Sequence, residues 1–366
     1  MASIAKRPDG QWRARYRDEA GREHSKHFRR RVDAQRWLDE VTTAVVTGHY
    51  VDPKAGRVTF KSFYADWSQR QLWQSTTVTA MSLAARSVPF ADLPLNKVRK
   101  SHLEQWVKRM QSAGLQPGTI RTRFRNVARV FRAAVDDRVI PTDPCKGVSL
   151  PAMRRAEAAM QLPTAQQVGD LLQAADESFQ AFLGLCAFAG LRLGEAAAVQ
   201  VGDIDFLRRT LKVSRQVQRG GGPNVEIRAP KYGSERTVFL PDGLLAMLAD
   251  LIARRGIAGT AWLFVGEGDN PPHQNTVGHR WRQTCKRAGI AVITMHDLRH
   301  FYASGLIASG CDVVTVQRAL GHAKATTTLN TYAHLWPTAE DRTRAAAADL
   351  MASAAVADSL RTAEEV

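Results

Sequence analysis

The chain has 366 residues, enough for two or three domains, and 44% of them are hydrophobic, so packed cores are available. Lys and Arg outnumber Asp and Glu by 51 to 35, a formal net charge of +16 with a pI near 10.2; a polyanion is the expected partner, although charge alone fits a ribosomal protein equally well. No run approaches the roughly 18 apolar residues of a membrane span, and the opening MASIAKRPDG has no apolar signal core, so a soluble, cytoplasmic protein without a membrane partner is expected.

The first predicted unit covers residues 1–50. Trp12, Ala14 and Tyr16 alternate with Arg13, Arg15 and Arg17, the period-two pattern of a strand with one packed and one arginine-studded face. Turn signals at Pro8-Asp9-Gly10 and Asp18-Glu19-Ala20-Gly21 divide the segment into three short strands. The helical spacing of Ala34, Trp37, Leu38 and Val41 predicts a helix over the sheet, with Trp37 against Trp12 at its centre. The arginine face fits either solvent or a DNA groove.

Gly48 to Gly56 reads as a linker. Residues 58–148 are predicted helical throughout, with a core stripe at Phe60, Phe63, Tyr64 and Trp67 and a capping box at Ser101-His102-Leu103-Glu104. A long helix opens at Gly118-Thr119. Ile120, Phe124, Val127 and Phe131 mark its buried side, and Arg121, Arg125, Arg129 and Arg132 form a separate basic stripe, suited to solvent or to a DNA backbone. Carboxylates enter only at Asp136 and Asp137, which favours DNA. Pro141-Thr142-Asp143-Pro144 should break the helix, and a tether begins at Met153.

A third domain, residues 160–337, opens with Thr164 and Gln167 as a capping box. Helices run through Phe188 and from Leu193 to Val199. Strands are expected over 210–217, 225–227 and 237–240, followed by helices over 243–254, 276–288, 296–309 and 312–320. Residues 338–366 form an alanine-rich tail with a weak apolar face at Leu350, Met351, Ala354, Ala355 and Leu360. The fold class is therefore mainly α with small antiparallel sheets, an α+β arrangement.

Six residues in the third domain carry chemistry. His296 and Arg299, at i and i+3, share a helix face. A Leu320-Gly321-His322 turn supplies a second imidazole, and Tyr332 follows. Upstream, Arg192 sits at a glycine-flanked bend in AGLRLGE, and Lys231 is predicted at the tip of a hairpin between Arg228 and Arg236. Two guanidiniums suit a phosphodiester, because each binds two oxygens and stays charged. A positioned phenol could then attack phosphorus in line, with His296 able to accept its proton and Lys231 protonating the leaving hydroxyl. Each residue also has a structural reading: Arg192 and Arg299 as ion-pair partners of Glu195 or Asp297, His322 as a helix cap, Tyr332 as core. Asp203 and Asp205 read as turn and cap residues. Cys145, Cys186, Cys285 and Cys311 lack any ligand spacing and read as reduced thiols.

Arg192, Lys231, His296, Arg299, His322 and Tyr332, in that order, resemble the constellation of a tyrosine recombinase of the phage integrase family. The resemblance implies that Tyr332 becomes joined to a DNA 3′-phosphate, leaving a 5′-hydroxyl, and that rejoining needs neither metal nor ATP. It implies an arm-type DNA-binding domain at 1–50, with Arg13, Arg15 and Arg17 on DNA. A core-binding domain at 58–148 would place Arg121, Arg125 and Arg129 on the backbone, and 160–337 would be catalytic. The family also implies double-stranded attachment sites, a tetramer on DNA, a host DNA-bending protein and an excision factor. A tail docking on a neighbouring protomer and work inside a bacterial host cell complete the expectation. Its rivals are a type IB topoisomerase and a catalytically silent DNA-binding protein.

Overall fold

The computed structural model describes residues 2–17, 21–46, 50–52, 54–153, 162–219, 224–230, 233–290, 293–336, 343–344 and 346–354. Two compact units result, Met1–Met153 and Arg154–Val366.

The first unit has two hydrophobic centres. In the smaller one, β1 (Ser3–Lys6), β2 (Trp12–Arg17) and β3 (Glu23–Phe28) make an antiparallel sheet with β2 in the middle. Alternation on β2 buries Ala14 and Tyr16 against Ala34 and Leu38 of α1 (Arg31–Val46). The predicted Trp12–Trp37 centre is corrected: Trp37 packs on Tyr16 and Phe28, while Trp12 lies beneath Lys6 and Arg31. Trp12 opens its strand opposite Phe28, and it is Phe28 that meets the helix. The arginine face is also less free than its spacing promised, since Arg13 and Arg15 both reach Glu23 on β3, at 3.4 and 3.7 Å.

Residues 58–148 lie in the same compact unit as the sheet. Tyr50, in the predicted linker, folds back to hydrogen-bond the Tyr16 hydroxyl at 2.6 Å. The larger centre is built by α2 (Phe60–Gln69), α3 (Ser75–Arg86), α4 (Lys100–Ser112) and α5 (Pro117–Asp136) around Phe60, Phe90, Trp106 and Phe131. Ser101 is not a cap. The α4 start is closed by His102, whose Nδ1 accepts from the Arg99 amide at 3.0 Å, and Glu104 pairs with Lys100. Nor does Pro141 end α5: the helix stops at Asp136, where Arg138 turns left-handed at φ 54°.

The second unit opens with α6 (Ala165–Ala174), where Thr164 and Gln167 make the reciprocal capping pair. α7 (Glu177–Phe188) is buried on nearly every side and forms the centre of the domain. A short α8 (Leu193–Ala197) follows the bend. The run read as one strand over 210–217 divides at Ser214-Arg215 into strands of two different sheets. β5 (Thr210–Val213) pairs with β4 (Ile204–Asp205) and β8 (Arg236–Phe239), whereas β6 (Gln216–Arg219) pairs with β7 (Val225–Arg228). Arg215 makes the break, turning aside to bind Asp203 and Gln200. β7 and β8 consequently do not form the expected hairpin around Lys231, and the residues 231–232 lie outside those described. α9 (Asp242–Arg255), α10 (Gln274–Arg287), α11 (Met295–Ala308), α12 (Val313–Leu320) and α13 (Ala325–Tyr332) complete the domain. Of the tail, 343–344 and 346–354 are helical, with Leu350 and Met351 exposed; Ala355 and Leu360 lie outside the described residues.

Candidate active site

The site is assembled around the last turn of α12. That helix ends at Gly321, left-handed at φ 64°, with the Gly321 and His322 amides bonded back to Arg318 and Gln317. The carbonyls left over point at cations. Arg236 Nε donates to Ala319 O at 2.9 Å, Arg299 Nη2 to Leu320 O, and Arg192 Nη2 to Gly321 O at 3.3 Å. A helix C-terminus carries about half a negative charge, so three guanidiniums are held there by both hydrogen bonding and the helix dipole.

Each arginine is also held from behind. Arg192 is the N-cap of α8, and Glu195, one turn on, accepts its amide at 2.9 Å and its Nη1 at 2.7 Å. The other face of the Glu195 carboxylate takes Arg236 Nη2 at 3.0 Å. Burial alone would raise the pKa of Glu195, but Arg236 and Arg192 outweigh it and hold the carboxyl below its ordinary range. Arg299, only 1% exposed, sends Nη1 to Gly190 O, tying α11 to the bend before Arg192. Burial and the neighbouring Arg192 pull Arg299 down to about 9, still cationic at neutral pH. Its suggested partner Asp297 is occupied elsewhere, capping α11 through Thr294 at 2.6 Å.

Arg192, Arg299, His296, His322 and Tyr332 line one cavity of about 430 Å³, together with His300 and Lys324. His322 Nδ1 meets the Thr328 hydroxyl at 2.9 Å; with Nδ1 accepting, Nε2 carries the proton. Burial, and then the surrounding cations, press both His296 and His322 down to about 4, so each is neutral at neutral pH. Tyr332 closes α13 and is 1% exposed, and its hydroxyl lies at hydrogen-bond distance, 2.7 Å, from His300 Nδ1. Burial pushes the phenol up to about 12, against the pull of Arg299 and Arg192.

Five of the six predicted residues therefore share a cavity, and Lys231 lies outside the described residues. The sequence left His296 able to accept the tyrosine proton; the imidazole that lies on the phenol is His300, one helical turn further along α11. The i+4 spacing from His296 was the available signal. Arg236 and Glu195 were also missed as parts of the site; Arg236 is a β8 residue brought to α12 by the fold, a contact across 83 positions that no local spacing announces. Elsewhere, Arg17, Arg125 and Arg129 are exposed, while Arg121 is half-buried, its Nε donating to Pro151 O at 2.9 Å.

Residues 162–338 match the Phage integrase family. The ICEBs1 integrase of Bacillus subtilis is 24% identical over 257 residues, covering 68% of this chain and 70% of that protein. The putative prophage phiRv2 integrase of Mycobacterium tuberculosis is 24% identical over 331 residues, 86% of this chain and 87% of that protein. Among solved structures, the Tn1549 transposon integrase in complex with a circular intermediate DNA superposes with a TM-score of 0.68 at 22% identity, over 80% of this chain and 99% of that one. A lambda integrase dimer bound to a COC′ core site gives a TM-score of 0.57 at 19% identity, over 92% of this chain and 96% of that one.

Proposed function

We propose, for a chain whose residues 162–338 belong to the phage integrase family, a site-specific tyrosine recombinase that integrates and excises a mobile element. The observation that carries this reading is one cavity in which a phenol, two guanidiniums and three imidazoles meet. Tyr332 attacks the scissile phosphorus. Arg192 and Arg299 bind the nonbridging oxygens, where charge develops, and His296 and His322 each donate one N–H to them. Lys231 protonates the departing 5′-oxygen. The phosphotyrosine retains the energy of the broken ester and the arginines supply the positive charge, so the chemistry as read uses neither ATP nor metal.

Relatives named as integrases of a prophage and of ICEBs1 support a mobile element as the substrate source, and the DNA in the Tn1549 complex supports a duplex substrate. A tetramer of lambda integrase on a Holliday junction supports a tetramer here as the strand-exchanging form. A host DNA-bending protein and an excision factor complete the proposed assembly, which works on DNA inside a bacterial cell. Arg13, Arg15 and Arg17 of β2 and Arg121, Arg125 and Arg129 of α5 are proposed to hold arm-type and core-type DNA.

A nicked suicide duplex tests the reading. Incubated in EDTA without ATP, the wild-type chain should form a covalent adduct whose captured DNA identifies the cleavage site. Tyr332→Phe should bind that DNA equally and form none. Trapping by the variant would remove Tyr332 as nucleophile.

A further inference from the structure

Building on the recombinase reading, we propose that His300 accepts the Tyr332 proton as the phosphotyrosine forms and returns it when the strand is rejoined. The two rings are 5.5 Å apart between centroids, with Nδ1 on the phenolic oxygen at 2.7 Å. With Nδ1 accepting, the proton of the neutral ring sits on Nε2. His296, the neighbour one turn earlier, lies edge-on to His300 at 4.8 Å and shares the cavity with Arg192 and Arg299. The two imidazoles thus divide the work, His296 toward the phosphate and His300 toward the nucleophile.

An acceptor is needed because a phenol near 12 is almost wholly protonated at neutral pH. Burial lowers His300 below its ordinary 6.5, which keeps its lone pair free. A phenol near 12 against an imidazole below 6.5 makes full transfer before attack unfavourable by more than five powers of ten. The proton therefore moves with the attack. As oxygen bonds to phosphorus, the phenolic O–H breaks and its proton passes to Nδ1, the P–O5′ bond breaks, and the leaving oxygen takes a proton from Lys231. Rejoining reverses every transfer, so the imidazolium acts as the acid that releases Tyr332.

The surroundings tune this exchange. On α11, Asp297, Arg299 and His296 are the charged and titratable neighbours; Tyr332 faces His300 from α13, and Arg192, His322 and Lys324 line the same cavity. Burial, opposed by Asp297 and aided by Arg299, holds the ring below its ordinary range. An entering phosphodiester offsets the Arg299 charge and makes His300 a stronger base at the moment one is required.

The test compares wild type, His300→Asn and Lys231→Ala on the captured-sequence duplex, with either oxygen or sulfur as the bridging 5′ atom. Asparagine offers an acceptor oxygen near the Nδ1 position but takes no proton, separating positioning from proton transfer. Expected for His300→Asn is unchanged DNA binding, a cleavage rate about 10²- to 10⁴-fold lower at neutral pH, and a rise toward tenfold per pH unit where wild type is flat. A thiolate leaves without an acid, so sulfur should restore Lys231→Ala and leave His300→Asn slow. Added imidazole should restore His300→Gly. A wild-type rate and flat pH profile in His300→Asn, or its rescue by sulfur, overturns the proposal. Absence of any adduct from wild type would overturn the recombinase reading, and this proposal with it.

Discussion

Replacing Glu195 by Gln should cost about 3 kcal/mol of stability in the second unit. The carboxylate is 1% exposed and accepts three hydrogen bonds, from the Arg192 amide, Arg192 Nη1 and Arg236 Nη2, at 2.9, 2.7 and 3.0 Å. Gln preserves the shape but turns an NH₂ toward one of these donors. It leaves Arg236, with a side chain 6% exposed, without its counter-charge. Losing charged hydrogen bonds at about 1.5–3 kcal/mol each is partly offset because a buried carboxylate no longer has to be desolvated. Arg192 is 29% exposed and contributes the smaller share. The net of about 3 kcal/mol is a little over two decades in the folding constant. Native-state hydrogen exchange of α7 and α11 amides, in urea below the transition, isolates this unit from the first. The loss should also depend on pH. Glu195 titrates lower folded than unfolded, so its contribution is complete above the ordinary value of 4.5 and disappears as pH falls through the folded value. The gap between wild type and variant should accordingly close below pH 4.5. A loss under about 1 kcal/mol, or a gap independent of pH, would refute the claim that this carboxylate holds the two arginines together.

Two further substitutions probe the frame of the site and the DNA surface. Gly321→Ala places a Cβ 2.9 Å from Arg236 Cδ at a backbone φ of +64°. It should lower stability by about 2 kcal/mol and slow adduct formation, measured by thermal unfolding and the suicide duplex; an unchanged melting temperature would sink the close-packing argument. Arg125→Gln and Arg129→Gln should each reduce the slope of log affinity against log salt by about 0.9 in anisotropy titrations. Arg121→Gln should reduce it less, because that side chain is already bonded to Pro151 O.

What could be read from sequence was what depends on local period. The β2 alternation, the α5 stripe and the Thr164 cap are each decided within a few residues, and each appears in the fold. The site motifs were legible for the same reason, since His296 and Arg299 lie on one helix and the Gly321-His322 turn is a local C-cap. Pairings decided by tertiary competition were not. Whether 210–217 runs as one strand depends on Arg215 finding Asp203, and whether Trp12 or Phe28 meets Trp37 depends on sheet register. Arg236 looked like a turn flank because its carbonyl partner lies on a helix far along the chain. His300 sat inside the motif but needed the docking of α13 to acquire a task.

Three guanidiniums seated on one helix end have a consequence for how the protein meets DNA. Arg192 and Arg299, the two that line the cavity, surrender their rotamer freedom during folding, so an arriving phosphodiester encounters a finished cradle and does not have to gather loose side chains around itself. The same economy concentrates risk. Any change that frays the final turn of α12 disarms the whole anion seat at once, whereas damage to a single arginine leaves its neighbours still aimed.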